Sequence, residues 1–151
     1  MIKSIIDSLW KSVTIGFVME RANMWLGSQF LYVFFENNLI TILIALLAIN
    51  AATMGIVLTK ISDLVAQAKS SFVFSRTKKH MLLSIQEQIF LIVIGIILLS
   101  VKSSPKINSI DDLTVYCNVG LSAVFVYALL ILYDTAKSIF VLLNINLYNQ
   151  K

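Results

Sequence analysis

The chain has 151 residues, of which 58% are apolar and 13% are charged, and its formal net charge is +4. About half of the residues of a soluble globular domain are apolar and about a quarter are charged, so this composition excludes an ordinary water-soluble domain and indicates a chain solvated by lipid. The single cysteine, Cys117, excludes an internal disulfide, and the length suits one domain.

The N-terminal region, residues 1–35, predicts an amphipathic helix at the membrane surface. Its apolar and charged positions occupy different sides between Ile5 and Met24, the apolar ones being Ile5, Ile6, Leu9, Trp10, Val13, Phe17 and Met24 and the charged ones Lys3, Asp7, Lys11 and Arg21. Such a helix lies in the headgroup plane. The aromatic run that follows, MWLGSQFLYVFF, is too short to cross alone, because a spanning helix needs about 20 apolar residues. The alternative is one imperfect span from Leu9 to Phe35, with Glu20 and Arg21 at membrane depth, where charge is costly.

Residues 37–70 are predicted to hold the first secure span, from Leu39 to Leu58, and a cytoplasmic extension of the same helix. Small side chains recur there at steps of three and four, which places them on one helix face. We call this row the small-residue stripe: Thr41, Ala45, Ala48, Ala52, Gly55, Thr59, Ser62 and Ala66. Lipid tails are as apolar as leucine, so helices in a bilayer associate where small residues let their backbones approach. The stripe therefore predicts a homo-oligomer.

Asn50 lies on the opposite side of this span from the stripe. A polar amide at mid-depth in a bilayer needs a hydrogen-bonding partner. The position predicts an interhelical hydrogen bond, and the alternative is a polar path through the membrane.

A basic cytoplasmic loop is predicted for residues 72–80, FVFSRTKKH. The basic cytoplasmic surface consists of Lys69, Arg76, Lys78 and Lys79. Lysine and arginine accumulate in cytoplasmic loops, so this connection is predicted to face the cytoplasm. Such a surface would contact anionic lipid or recruit a soluble partner.

Two further spans follow. The second is predicted for residues 81–101, an extracytoplasmic loop for residues 102–112, and the third span with a cytoplasmic extension for residues 113–149. This order places the C-terminus in the cytoplasm.

Polar residues within these spans are the candidate functional positions: Asn50, Glu87, Asn118 and Asp134. With the basic loop inside, the charges of Lys60, Glu87, Asp134 and Lys137 reach a similar depth. They predict an interfacial salt-bridge layer, and the alternative is a charged ring that governs an ion or proton path.

Catalytic motifs are lacking in the sequence. It has no HExxH, no GxSxG, no phosphate-binding glycine loop and no Cys/His cluster, and its lone histidine, His80, stands far from Cys117. We therefore expect no enzyme activity, no metal site and no cofactor. The expected partners are further copies of the chain, membrane lipids and a cytoplasmic protein, rather than a small-molecule substrate or nucleic acid.

The layout of the chain from Asn37 to Tyr133 resembles a group of small bacterial membrane proteins. A span LITILIALLAINAATMGIVLTK, a basic stretch SRTKKH, a span EQIFLIVIGIILLS and a tyrosine-bearing final span follow one another. This order is similar to that of membrane proteins of phage-exclusion and anti-phage defence systems, of the type of the lambda Rex exclusion protein and the Kiwa membrane subunit. The resemblance implies a homo-oligomeric sensor or effector of the bacterial inner membrane with a cytoplasmic partner, and it assigns no functional residue.

The predicted fold is an all-α integral membrane protein with three transmembrane helices and an N-terminal interfacial helix, and the alternative has four transmembrane helices. Two function classes follow from it. In one, the oligomer is a channel-like effector; in the other, it is a non-conducting scaffold that recruits a cytoplasmic partner through its basic surface.

Overall fold

A computed structural model describes residues 2–68, 71–104 and 111–149 of the chain. Within these ranges the secondary structure consists of four helices and no strand: α1 (Ile2–Leu26), α2 (Phe30–Ala68), α3 (Ser71–Lys102) and α4 (Asp111–Asn149). The predicted all-helical fold is confirmed.

Three helices are long and apolar enough to cross a membrane: Phe30–Lys60 in α2, Met81–Lys102 in α3 and Leu113–Lys137 in α4. The three predicted spans are therefore confirmed. The first of them begins earlier than the predicted Leu39, because the aromatic run after Gln29 continues into α2 without a break. These aromatic residues belong to a spanning helix rather than to a surface segment.

The turn between α1 and α2 is specified by Gly27 and Ser28. Gly27 has a φ of 61°, in the left-handed region that favours glycine. The Gly27 amide donates to the Met24 carbonyl at 3.3 Å and the Ser28 amide to the Asn23 carbonyl at 3.1 Å, which is a Schellman end for α1. The Ser28 hydroxyl accepts from the Phe30 amide at 3.3 Å and caps α2. The chain is thereby reversed within three residues.

The predicted loop at residues 72–80 is instead the first part of α3, which begins at Ser71. The prediction of a loop was wrong, because basic and hydroxyl residues are compatible with a helix that extends beyond the apolar region. Of the basic cytoplasmic surface, Lys78 and Lys79 are exposed. Lys69 and the Arg76 side chain lie outside the described part of the structure.

Helix α4 is the centre of the bundle, because it packs against α1, α2 and α3. The main core lies between α2, α3 and α4, and its buried members are Phe35, Leu39, Leu43, Leu91, Leu121, Val124, Tyr127, Ala128 and Ile131. Phe35 and Phe125 pack across it with ring centroids 5.4 Å apart.

Glycines at two helix crossings allow close packing. A Cβ on Gly16 of α1 would lie 2.8 Å from the Val119 carbonyl oxygen of α4, and a Cβ on Gly95 of α3 would lie 3.3 Å from Ile40 of α2. At Gly16 the neighbour is backbone, which cannot move aside. The α1–α4 contact therefore depends on the missing side chain at this position.

Helix α1 runs antiparallel to α4 along its length. Gly16 faces Val119 and Ala123, while Glu20, one turn further along α1, contacts Asn118, which is further back along α4. The buried positions of α1 recur at steps of four, four and three: Ser12, Gly16, Glu20 and Asn23. The turn after Leu26 excludes the alternative of one span from Leu9 to Phe35, because α1 ends at Leu26 and α2 begins at Phe30.

Candidate functional site: buried polar clusters in the bundle

Polar side chains from different helices meet at three places in the bundle, and each place includes at least one buried residue. We call them the amide pair (Asn50 and Gln88), the Glu87 cluster (Glu87, Tyr127 and Asp134) and the Glu20 cluster (Glu20, Tyr32, Glu36, Lys102 and Asn118). The sequence predicted Asn50, Glu87, Asn118 and Asp134 as intramembrane polar residues, and the structure distributes these four over all three places.

The amide pair joins α2 to α3. Asn50 is fully buried, Gln88 is 2% exposed, and the Asn50 Nδ2 atom donates to Gln88 Oε1 at 3.0 Å. The expected interhelical hydrogen bond of Asn50 is present, and Gln88 is the partner that the sequence did not identify. Asn50 Oδ1 and Gln88 Nε2 have no hydrogen-bond partner among the described residues. The pair therefore sets the rotation of α2 against α3 through one hydrogen bond.

The Glu87 cluster joins α3 to α4. The Tyr127 hydroxyl donates a hydrogen bond to the Glu87 carboxylate, and Asp134 lies near enough for its charge to act on both residues. The structure thus brings together the two carboxylates of the predicted charge layer. Lys60 and Lys137, the predicted basic members, are both exposed. The hydrogen-bond donor seen at Glu87 is therefore an uncharged tyrosine hydroxyl.

The Glu20 cluster joins α1, α2, α3 and α4 near the α1–α2 turn. Tyr32 donates its hydroxyl to Glu20 Oε1 at 3.0 Å, and Asn118 donates Nδ2 to the same oxygen at 3.3 Å. Lys102 Nζ lies 5.1 Å from the centroid of the Tyr32 ring and 2.8 Å from Glu36 Oε1. One continuous set of contacts therefore links the start of α2, the end of α3 and the first third of α4.

Two periodic patterns in the sequence could have identified the residues that were missed. Met81, Gln88, Gly95 and Lys102 recur at steps of seven on α3, and all four are buried. The buried residues of α1 recur at steps of four and three, as described above. Polar members of such rows face a neighbouring helix, because the whole row lies on one helix face.

The small-residue stripe is exposed over its described length. Thr41, Ala45, Ala48, Ala52, Gly55, Thr59 and Ser62 are all exposed, and the Ala66 side chain lies outside the described part. A Cβ on Gly55 would meet nothing within 4 Å. The intrachain face of α2 is the opposite one, with Leu39, Leu43, Asn50, Met54 and Val57 buried.

The outer surface of the bundle is apolar. Large hydrophobic side chains are exposed on every helix, among them Trp10, Trp25, Phe30, Ile56, Phe90 and Ile97. An outer surface with this many large apolar side chains suits acyl chains rather than water. In the described residues no group of three or more His, Cys, Asp or Glu side chains is placed to hold a metal ion.

Three apolar helices of spanning length, polar groups turned inward and hydrocarbon-like side chains turned outward define an α-helical integral membrane protein. The chain matches no protein-family model, no curated protein and no solved structure.

Proposed function

We propose that the protein is a self-associating protein of the bacterial inner membrane, in which copies of the chain meet along the small-residue stripe of α2. The supporting observation is that the stripe is exposed while the opposite face of α2 holds the contacts within the chain. The assembly acts as a sensor or effector that forms or gates a structure in the membrane.

The chemistry of the stripe suits contact between helices in lipid. Small residues allow helix backbones to approach closely. Van der Waals packing then stabilises the contact, because the hydrophobic effect does not favour helix association in lipid. The Thr59 hydroxyl already donates to the Gly55 carbonyl of its own helix at 3.0 Å, so its own polar group does not oppose burial. The stripe therefore offers small side chains to a neighbouring helix, and the hydroxyl of Thr59 is already hydrogen-bonded.

The mass of the particle in nanodiscs tests this proposal. Native mass spectrometry of the wild-type protein is expected to give a multiple of the 16.9 kDa chain mass. Ala52→Leu and Gly55→Leu add bulk to the stripe and are expected to reduce that multiple. Ala22→Leu is the control, because it makes the same substitution as Ala52→Leu at an exposed position of α1. It is expected to leave the mass unchanged. A monomeric wild-type protein, or an unchanged mass in both stripe variants, would contradict the proposal.

Channel activity is the first form that the function could take. Asn50, Glu87 and Asn118 are the polar residues that would line an ion path, and all three face the interior of the bundle, where Glu87 is only partly buried. This form is supported if the wild-type protein conducts ions through reconstituted bilayers and Asn50→Leu abolishes the flux. Absence of flux from correctly assembled wild-type protein rejects it.

Recruitment of a cytoplasmic partner is the second form. Lys78 and Lys79 are exposed at the start of α3, before the apolar part of this helix begins at Met81. Replacing Arg76, Lys78 and Lys79 with glutamine is expected to abolish capture of a soluble partner, while the mass of the particle stays constant. Capture that survives these changes excludes the basic surface as the docking site.

A role in anti-phage defence is proposed from the layout resemblance, with the C-terminus placed in the cytoplasm by the positive-inside rule. Bacteria that express the chain with its neighbouring genes are expected to lower the plating efficiency of phage. The stripe variants should restore plating. Equal plating with and without the chain across a phage panel would contradict the defence role and leave the assembly proposal standing.

A further inference from the structure

The Glu20 carboxylate is buried at the junction of α1, α2 and α4. Its side chain is among the largest that are fully buried, with 2% of the residue exposed. The residue belongs to the row on α1 that faces α4, so the helix geometry directs it inward. An ionised carboxylate in such surroundings is stable only when hydrogen bonds and opposite charge compensate it.

The hydrogen bonds to Glu20 satisfy only one of its two oxygens. The Tyr32 hydroxyl and the Asn118 amide both donate to Oε1. Glu20 Oε2 and Asn118 Oδ1 have no hydrogen-bond partner among the described residues, although both are buried. Since Glu20 and Asn118 contact each other directly, two uncommitted oxygen acceptors lie within one small cluster.

The charges of the cluster do not balance. Glu20 and Glu36 contribute two carboxylates and Lys102 contributes one ammonium group, which lies 2.8 Å from Glu36. The contacts of Glu20 are two neutral donors. The neighbouring basic residue, Arg21, is exposed, and its guanidinium lies 5.0 Å from the centroid of the Phe17 ring. Among the described residues, an ionised Glu20 would therefore have no cationic partner.

We propose that Glu20 and Asn118 bind a small monovalent cation of the alkali-metal class through these two oxygens. Oxygen acceptors suit hard cations, and one uncompensated charge matches one positive charge. Calcium sites usually draw on several carboxylates, so a divalent ion fits a cluster with one unpaired carboxylate less well. Tyr32 is a positioning residue, because its hydrogen bond orients the carboxylate.

Asn23 lies three residues beyond Glu20 on the same face of α1. Its buried Nδ2 atom also has no hydrogen-bond partner among the described residues. As a donor it cannot ligate a cation, so Asn23 is not part of the proposed site. The site lies within one chain and away from the small-residue stripe, so the proposal goes beyond self-association and does not depend on it.

Thermal unfolding of the protein in nanodiscs tests the cation site, with NaCl exchanged for choline chloride at constant ionic strength. A ligand that binds only the folded state raises its stability, and the unfolding midpoint is expected to rise by about 5–11 °C at a sodium concentration about 100 times the dissociation constant. Glu20→Gln should abolish this sodium response. Asp7→Asn removes the same charge from an exposed position of α1 and should retain the response.

Tyr32→Phe gives a second measurement that does not depend on whether the Glu20 variant folds. It removes the hydroxyl and keeps the ring beside Lys102, so the half-maximal sodium concentration should rise about tenfold. Equal midpoints of the wild-type protein in sodium and choline would overturn the proposal, as would a sodium response unchanged in Tyr32→Phe. A wild-type protein that responds to pH but not to sodium would show that Glu20 binds a proton instead, which also overturns it.

Discussion

The amide pair should behave as a coupled unit when Asn50 and Gln88 are replaced by leucine, singly and together. Asn50→Leu leaves the buried Gln88 amide without its observed hydrogen bond, and Gln88→Leu does the same to Asn50. Leaving a buried polar group unsatisfied costs about 1–3 kcal/mol, whereas replacing both partners by apolar groups leaves neither of them unsatisfied. The double variant should therefore be more stable than the sum of the two single losses predicts.

Measurements on other membrane proteins give the scale of the coupling energy that we expect between Asn50 and Gln88. Interhelical hydrogen bonds measured in bilayer proteins average about 0.6 kcal/mol and reach about 1.7 kcal/mol. Since this pair is fully buried at a spacing of 3.0 Å, we expect a value in the upper half of that range. Each single variant should lose about 1–2 kcal/mol in the free energy of unfolding.

Reversible unfolding in bicelles, followed in all four members of the double-mutant cycle, measures this energy. Thr53→Val is the matched control, because the Thr53 hydroxyl donates to the Ile49 carbonyl of its own helix at 2.7 Å. Its free energy of unfolding should stay within about 0.5 kcal/mol of the wild-type value. Strictly additive losses in the cycle would refute the reasoning, since they would mean that the two amides do not bond to each other in the membrane.

Gly16→Ala should loosen the α1–α4 contact and lower the free energy of unfolding by about 1–3 kcal/mol, because the added methyl group meets backbone at 2.8 Å; unchanged stability in bicelles would contradict the close approach. Glu36→Ala should destabilise the protein, since it leaves the buried Lys102 ammonium group without its carboxylate partner at 2.8 Å, whereas Glu36→Asp should lose less stability in the same assay. The side of the membrane that Asp7 occupies can be compared with that of Lys79 by placing a cysteine at each position in a cysteine-free background. If α1 crosses the membrane, a membrane-impermeant thiol reagent should label both cysteines from the same side. Labelling from opposite sides would place α1 on the membrane surface opposite Lys79.

Composition and hydrophobic periodicity were sufficient to identify lipid as the surroundings of the chain and to locate its three membrane-spanning helices. A long apolar run in a bilayer must close its own backbone hydrogen bonds and therefore forms a helix, so the stretches around Leu43, Leu91 and Leu121 could be assigned without any tertiary contact. The helical period alone was sufficient to place Asn50 and the small-residue stripe on opposite faces of α2. The element limits were less accurate: Phe30 proved to start a span, and residues 72–80 proved to be helical.

The partners of the polar groups could only be known from the tertiary structure. The helical period predicts which face of a helix a side chain occupies, but the neighbouring helix and its vertical offset depend on how all side chains pack together. Asn50 needed a partner on physical grounds, yet nothing local to it indicates Gln88. Likewise, Glu20 and Asn118 stand 98 positions apart in the chain, and only the antiparallel packing of α1 on α4 brings them into contact.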